Sequence, residues 1–350
     1  MNRRSHNESG AAAPMEYDAA ERHAAATREG DWRLQHLVRY GSNSFSTCLL
    51  YDRVSCFRCR ACDGFIGFVA SNGVCISLGE PVTSPLDYVT AAREFLAYCL
   101  EQGKGCVFVY VGEAFVNATS DIPWTRAVLG DDMIFDIPSY APRGDRAKKV
   151  RSARNHAVKR GAVVREYDPG NARDPFLERQ MVAVGRRWLK SLHRFQMRFL
   201  ELDLFKMAEL KRYFYAAVDG KVVGVLTCLP IYARNGYLLE DLIRDPDAPN
   251  GTTELLVLEA LRRFKEEAID IATLGLSPRV ELHRDWGFSW WQVVLTRLGI
   301  RLADNTSGLH DLYHYRKKFH TQHSETAYLL KHPVGIGFRD LLGIMKAFTR

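Results

Sequence analysis

The order of secondary-structure signals constrains this chain's fold more than any other feature. Runs of β-type residues broken by Asp-Gly and Asn-Gly dipeptides, then helical stripes and a further strand, occur twice. In the first half Ser46–Tyr51, Ser55–Arg60, Gly64–Val69 and Val74–Leu78 read as strands around Asp63-Gly64 and Asn72-Gly73. A helix over 87–102, strand Cys106–Val111, a helix around 112–118 and strand Ile134–Ile137 follow. A basic helix over 145–160, with Gly161 as its stop signal, leads to strand Ala162–Tyr167. In the second half helices over 174–193 and 203–212 precede Phe214–Val218, Lys221–Leu229 and Gly236–Glu240. Asp219-Gly220 and Asn235-Gly236 turn that meander, and a helix over 252–268 and strand Ile271–Gly275 close it. The pattern predicts an α/β (α+β) chain of two tandem units, 31–165 and 166–332, each a mixed sheet flanked by helices.

The ends differ in composition. Residues 1–30 are rich in Ala, Ser, Asn, Glu and Arg and read as a disordered leader. Residues 333–350 place Phe338, Leu341, Leu342, Met345 and Phe348 along one helical stripe. Packing on the protein's own core is the common use of such a stripe, and interfacial membrane docking is its functional alternative. No apolar run reaches the ~18–20 residues that span a bilayer. The first 30 residues lack a signal-peptide core, so the eight cysteines are expected as free thiols in a cytosolic compartment.

Charge is concentrated. Lys plus Arg number 48 against 41 Asp plus Glu, and many of the cations fall between Arg143 and Arg165. Arg146, Lys148, Lys149, Arg151, Arg154, Lys159 and Arg160 lie on or beside one helix, with His156 among them and Asp145 as the nearby acid. Such a block suits phosphates of RNA or of lipid headgroups, although a solvated helix face has the same appearance.

The densest chemistry lies between Leu238 and Leu256. An apolar strand ends in Glu240 and Asp241, Arg244 follows, and a Pro/Asp/Asn/Gly loop leads to a helix opening at Thr252. Side-chain charges and free N–H groups at a helix start suit anionic or carbonyl chemistry. A surface ion pair of Asp241 with Arg244 is the plain structural reading, and it would contribute little. Cys56, Cys59 and Cys62 form a CxxCxxC run, but strand spacing turns i and i+3 to opposite faces, so no metal site is expected.

Read together, these segments carry a resemblance. Arg39–Ser46, Gly79–Val82, Val150–Gly161, Glu240–Arg244, Asn250–Glu254, Leu274–Pro278, Tyr315–Phe319 and Tyr328–Leu330 occur in an order and spacing similar to one family. The chain resembles the C-terminal catalytic domain of bacterial aminoacyl-phosphatidylglycerol synthases. These are also called phosphatidylglycerol lysyltransferases or multiple peptide resistance factors. The resemblance implies two tandem acetyltransferase-like (GNAT) folds around a tunnel. It implies aminoacyl transfer from aminoacyl-tRNA to a lipid hydroxyl, by default phosphatidylglycerol, without a cofactor. The partners it implies are aminoacyl-tRNA and an anionic phospholipid surface at the inner membrane face. Adding a cationic amino acid there would weaken attraction for cationic peptides.

By the same resemblance Asp241, Arg244 and Lys318 match the family's catalytic acid, arginine and lysine, with Lys317 adjacent to the last. Glu240, Asn250 and Glu254 match substrate-binding positions. Asp241 would pair with the α-ammonium or act as base, and Arg244 and Lys318 would stabilise phosphate or oxyanion. Two departures stand out: a freestanding form is expected, without the membrane-spanning region that usually precedes this domain, and 189–200 lacks the Gly-Phe-Ser-like segment expected after Trp188. Aminoacyl transfer to a peptide or cell-wall precursor is one alternative. An acyl-CoA transferase is another, but acids in Arg244–Gly251 sit where its pyrophosphate would bind.

Overall fold

The computed structural model describes residues 31–191, 203–281, 309–337, 340 and 343–344. The leader, most of 189–200 and the stripe residues Phe338, Leu341, Leu342, Met345 and Phe348 lie outside the described residues.

The strands are β1 (Ser55–Arg58), β2 (Gly64–Ser71), β3 (Val74–Leu78), β4 (Val82–Thr83), β5 (Gly105–Val111) and β6 (Thr125–Asp136). They continue as β7 (Val163–Tyr167), β8 (Arg212–Val218), β9 (Lys221–Ile231), β10 (Gly236–Arg244), β11 (Ile271–Glu281) and β12 (His323–His332). The helices are α1 (Trp32–Tyr40), α2 (Tyr88–Glu101), α3 (Glu113–Ala118), α4 (Lys148–Lys159), α5 (Pro175–Ser191), α6 (Thr252–Glu266) and α7 (Leu309–Lys317).

One mixed sheet runs through both halves in the order β1-β2-β3-β5-β12-β6-β11-β10-β9-β8-β7, with β4 beside β2. The pairs β3/β5 and β10/β11 are parallel. β12, late in sequence, lies between β5 and β6, and β6 joins β11 across the middle. The mixed α/β architecture expected from the sequence is present.

Aromatic clusters anchor each half. Phe95, Phe108 and Phe115 pack with Tyr88 under α2 and α3. Phe135, Phe214, Tyr237 and Phe264 pack with Phe319 under α6. Each fully buried ring contributes on the order of 1.5–3 kcal/mol.

Three local expectations are corrected. Ser46–Leu50 is a buried 3-10 turn rather than a strand. Asn43 starts it by accepting from Phe45 N–H, and Thr47 donates to Pro230 O across the chain at 2.6 Å. Residues 203–212 are not a helix. A short 3-10 turn, Ala208–Leu210, leads into β8, which pairs with both β7 and β9. Tertiary pairing overrides the helical periodicity there. β6 begins at Thr125, well before Ile134.

The described part of the tail meets the core. Ile336 is buried and Ile344 packs with it against Val74, Ile76, Val107 and Val109. A Cβ on Gly343 would meet Val74 and Ser71 O.

Candidate active site

β10 is not the simple strand that the sequence suggests. It pairs with β11 only at Gly236↔Ile271, Tyr237↔Ala272 and Leu238↔Thr273. Both strands continue, β10 with β9 to Arg244 and β11 with β6 to Glu281. The sheet therefore opens between them. Phe45, Leu238 and Arg316 approach Gly275 at this opening. Glu240 and Asp241 do not end the strand. They sit inside it, where the register with β9 shifts between Leu239 and Leu242. A bulge breaks strict alternation, so two consecutive acids reach one neighbour.

That neighbour is Thr227 on β9. Its hydroxyl donates to Asp241 Oδ2 at 3.0 Å and lies 3.5 Å from Glu240 Oε2. Asp241 N–H donates back to it at 3.1 Å. Glu240 Oε1 accepts from Tyr51 OH at 3.1 Å, and Oε2 pairs with Lys211 Nζ at 2.9 Å. Lys211 is 2% exposed. Burial, then the Glu240 charge beside it, pushes the Asp241 carboxyl up to about 6, against a smaller opposing pull from Lys211. Oδ1 of Asp241 takes no donor among the described residues.

Arg244 and Lys318 lie in a second cluster. Arg244 donates to Ala248 O at 3.3 Å. Lys318 pairs with Glu254 Oε1 at 2.5 Å and stands 3.5 Å over the Tyr315 ring. Burial lowers Lys318, and Glu254 partly offsets this. Burial raises Glu254, but its bond to Lys318 holds it below the usual carboxylate range. Along β10, Leu242 packs with the α6-side core and Ile243 with the α5-side core. Alternation puts Arg244 on the α6 face. Leu226 and Cys228 of β9 face α6, so Thr227 and the acids it holds face the other way. The three residues expected in one site thus stand on two faces, flanking the opening.

Residues not singled out from sequence complete the surroundings. Arg316 on α7 lies near Gly275, and its Nη1 has no hydrogen-bond partner among the described residues. Burial lowers it, while nearby Asp132 and Tyr110 favour its charge. Asp132 itself has a donor on each oxygen: Ser44 donates at 2.5 Å, Tyr110 at 2.6 Å, and Thr273 also donates. Arg316 stands within the Tyr-Arg-Lys-Lys-Phe segment already noted. Tyr51, Lys211, Thr227 and Asp132 carry no local signal.

The basic helix is divided too. Arg146, Lys148, Lys149, Lys159 and Arg160 are exposed. Arg151 donates to Pro142 O and Gly144 O, and Arg154 pairs with Glu259 at 3.5 Å, so both brace the fold. Asn250 is exposed and shares a shallow cavity of about 520 Å³ with Lys148, Lys149, Ser152 and His156. His156 Nδ1 lies 3.0 Å from Asn250 O. Gly251 makes this contact with α4 feasible: at φ +91 its missing Cβ would lie 1.8 Å from Ala153 O. Asn250 therefore belongs with the cationic surface and not with the acid pair. Elsewhere, Cys59 is buried, Cys62 half-buried and Cys56 exposed, and burial raises all three thiols.

Comparison with known proteins follows the same lines. The family model described as phosphatidylglycerol lysyltransferase, C-terminal, matches residues 34–331. A bifunctional lysylphosphatidylglycerol biosynthesis protein LysX of Mycobacterium marinum is 28% identical over 243 residues, 63% of this chain and 22% of that protein. The phosphatidylglycerol lysyltransferase of Bacillus subtilis is 23% identical over 206 residues, 58% of this chain and 24% of that protein. The chain spans about a third or less of the length of such curated relatives. Among solved structures, L-PGS from Bacillus licheniformis superposes with a TM-score of 0.71 at 18% identity, covering 94% of this chain and 95% of that one. The C-terminal domain of a protein described as a lysylphosphatidylglycerol synthetase from Agrobacterium fabrum gives 0.71 at 16% identity, covering 94% and 96%. These two likenesses show the shared fold.

Proposed function

Because the chain belongs to the phosphatidylglycerol lysyltransferase C-terminal family, we propose that it moves an aminoacyl group from aminoacyl-tRNA to a lipid hydroxyl, by default that of phosphatidylglycerol. RNA approaches the face that carries α4, α6 and Lys318. The exposed Arg146, Lys148, Lys149, Lys159 and Arg160 meet its phosphates, and Asn250 lies among them. The 3′ end enters the opening between β10 and β11, and the lipid comes from the opposite face. The protein works at the inner membrane face as a peripheral partner of an anionic surface. Among the described residues no helix is long and apolar enough to cross a membrane.

Asp241 receives the α-ammonium of the ester through its uncommitted oxygen. The lipid hydroxyl oxygen bonds to the ester carbonyl carbon and the bond from that carbon to the ribose oxygen breaks. The hydroxyl's proton ends on the ribose oxygen. Arg244, Lys318 and Arg316 supply positive charge toward the tetrahedral oxygen and the flanking phosphates. No covalent enzyme intermediate is required, because the ester arrives activated.

The observation that carries this reading is Asp241: a half-buried carboxylate, one oxygen uncommitted, at the only parallel pair in its half of the described sheet that splays apart. The test incubates the purified protein with labelled aminoacyl-tRNA and phosphatidylglycerol vesicles. Label should move into the organic phase. Transfer from acyl-CoA but never from aminoacyl-tRNA contradicts the reading, and label appearing in a peptide and not in lipid reassigns the acceptor.

A further inference from the structure

The acid pair on β10 is asymmetric in a way that bears on which amino acid is transferred. Glu240 is filled by the chain itself: Tyr51 on Oε1 and Lys211 on Oε2. The cation that fills it is internal and almost wholly buried, 2% exposed. A second ammonium, that of Lys206, stands 4.9 Å from the centre of the Tyr51 ring. Glu240 and Lys211 together sum to zero charge. Asp241 is then the acid of the pair left without a cation in contact, through one uncommitted oxygen.

A site with one uncompensated carboxylate accommodates one ammonium. Every aminoacyl ester brings its α-ammonium. A lysyl or arginyl ester brings a second cation, which would enter a region beside Lys211 and Lys206 where Glu240 is already paired. Like charges held close in a low-dielectric setting repel strongly, and an unpaired buried cation is costly. We propose that Lys211 is a specificity-determining residue that selects aminoacyl groups with uncharged side chains. It acts through Glu240, by occupying the carboxylate that a substrate cation would otherwise take. Discrimination of this kind works by repelling the wrong substrate as much as by holding the right one.

This inference rests on the transfer reading above, and the experiment separates the two. One tRNA body is charged in turn with lysine, methionine and alanine, and initial transfer to phosphatidylglycerol vesicles is measured for each. Methionine is close to lysine in length and lacks its charge, so the comparison isolates charge from size. The protein as it stands should prefer methionine and alanine over lysine by about tenfold or more. Lys211→Met frees Glu240 and should narrow that ratio by about tenfold or more in favour of lysine. The double variant Lys211→Met/Glu240→Gln returns the pair to zero charge and should restore the original preference. A ratio that moves with charge and reverts in the double variant is not the signature of a merely structural lysine. Lysine transferred as well as or better than methionine by the unaltered protein overturns this inference and leaves the transfer reading standing. So does a ratio unmoved in soluble Lys211→Met. If Lys211→Met does not fold, the unaltered protein and the double variant still decide: the first must disfavour lysine and the second must keep that preference. No transfer from any charged tRNA overturns both.

Discussion

Asp132 is a buried and Asp241 a half-buried carboxyl in the same sheet, and burial raises both above the usual carboxylate range. Their surroundings differ. Asp132 takes three hydroxyls, from Ser44, Tyr110 and Thr273, with a donor on each of its oxygens. Asp241 takes one hydroxyl, faces the Glu240 charge, and keeps an oxygen open at the place where the sheet splays. Burial alone does not mark function. A saturated polar group ties β6 to its neighbours, whereas an open one is available to a ligand. The same contrast separates Arg212, clamped between Glu166 and Glu267, from Arg316, whose Nη1 is unpartnered among the described residues.

The contrast between the two arginines can be broken first. Arg316→Gln should lower transfer by roughly 10²-fold while the protein keeps its thermal midpoint, because removing one positioned charge from a buried site costs on that order. Arg212→Gln leaves Glu166 and Glu267 without their shared partner and should lower the midpoint or prevent folding. Equal stability losses in the two would erase the distinction. The pH dependence sharpens the carboxylate comparison. Asp241 must be ionised to hold an ammonium, so single-turnover transfer should fall about tenfold per unit below about pH 6. A flat profile between pH 5 and 7 would contradict that requirement.

Stability carries the opposite sign at the same residue. The folded-state value near 6 lies above the ~3.9 of an unperturbed Asp, so the folded chain binds this proton more tightly than the unfolded chain. Ionising Asp241 therefore costs stability; the cost is absent below about pH 4 and complete above about pH 6. Asp241→Asn should gain roughly 1–3 kcal/mol at pH 7, read by denaturant unfolding. Asp132→Asn should instead lose roughly 1–3 kcal/mol, since it disturbs a network that is already complete. The smallest effect is expected on the outer surface. Lys148→Glu with Lys149→Glu should weaken aminoacyl-tRNA binding several-fold and reduce its salt dependence, leaving thermal stability unchanged.

Much of this architecture is legible in sequence where the physics is local. α2 and the β8–β9–β10 meander follow from periodicity and from the Asp219-Gly220 and Asn235-Gly236 turns, and the basic block of α4 is visible as composition. The site is less so. Tyr51 reaches Glu240 across 189 residues and Ser44 reaches Asp132 across 88, and no window on the chain links them. Lys211 looks like one more surface lysine until the turn into β8 brings it to Glu240. The bulge at Glu240-Asp241 is equally hidden, because alternation predicts that consecutive residues face apart. The split of the acid from Arg244 and Lys318 onto two faces depends on which core Leu242 and Ile243 enter, and that is set by packing.

The claim that openness and not burial marks the working carboxylate is tested most directly by single-turnover transfer from charged tRNA to phosphatidylglycerol, normalised to folded protein, in Asp241→Asn and Asp132→Asn. Asp241→Asn should lose roughly 10²-fold or more while Asp132→Asn stays within several-fold of the unaltered protein, since breaking a buried charge contact costs several kcal/mol. Comparable losses in both, or full transfer by Asp241→Asn, would contradict the account.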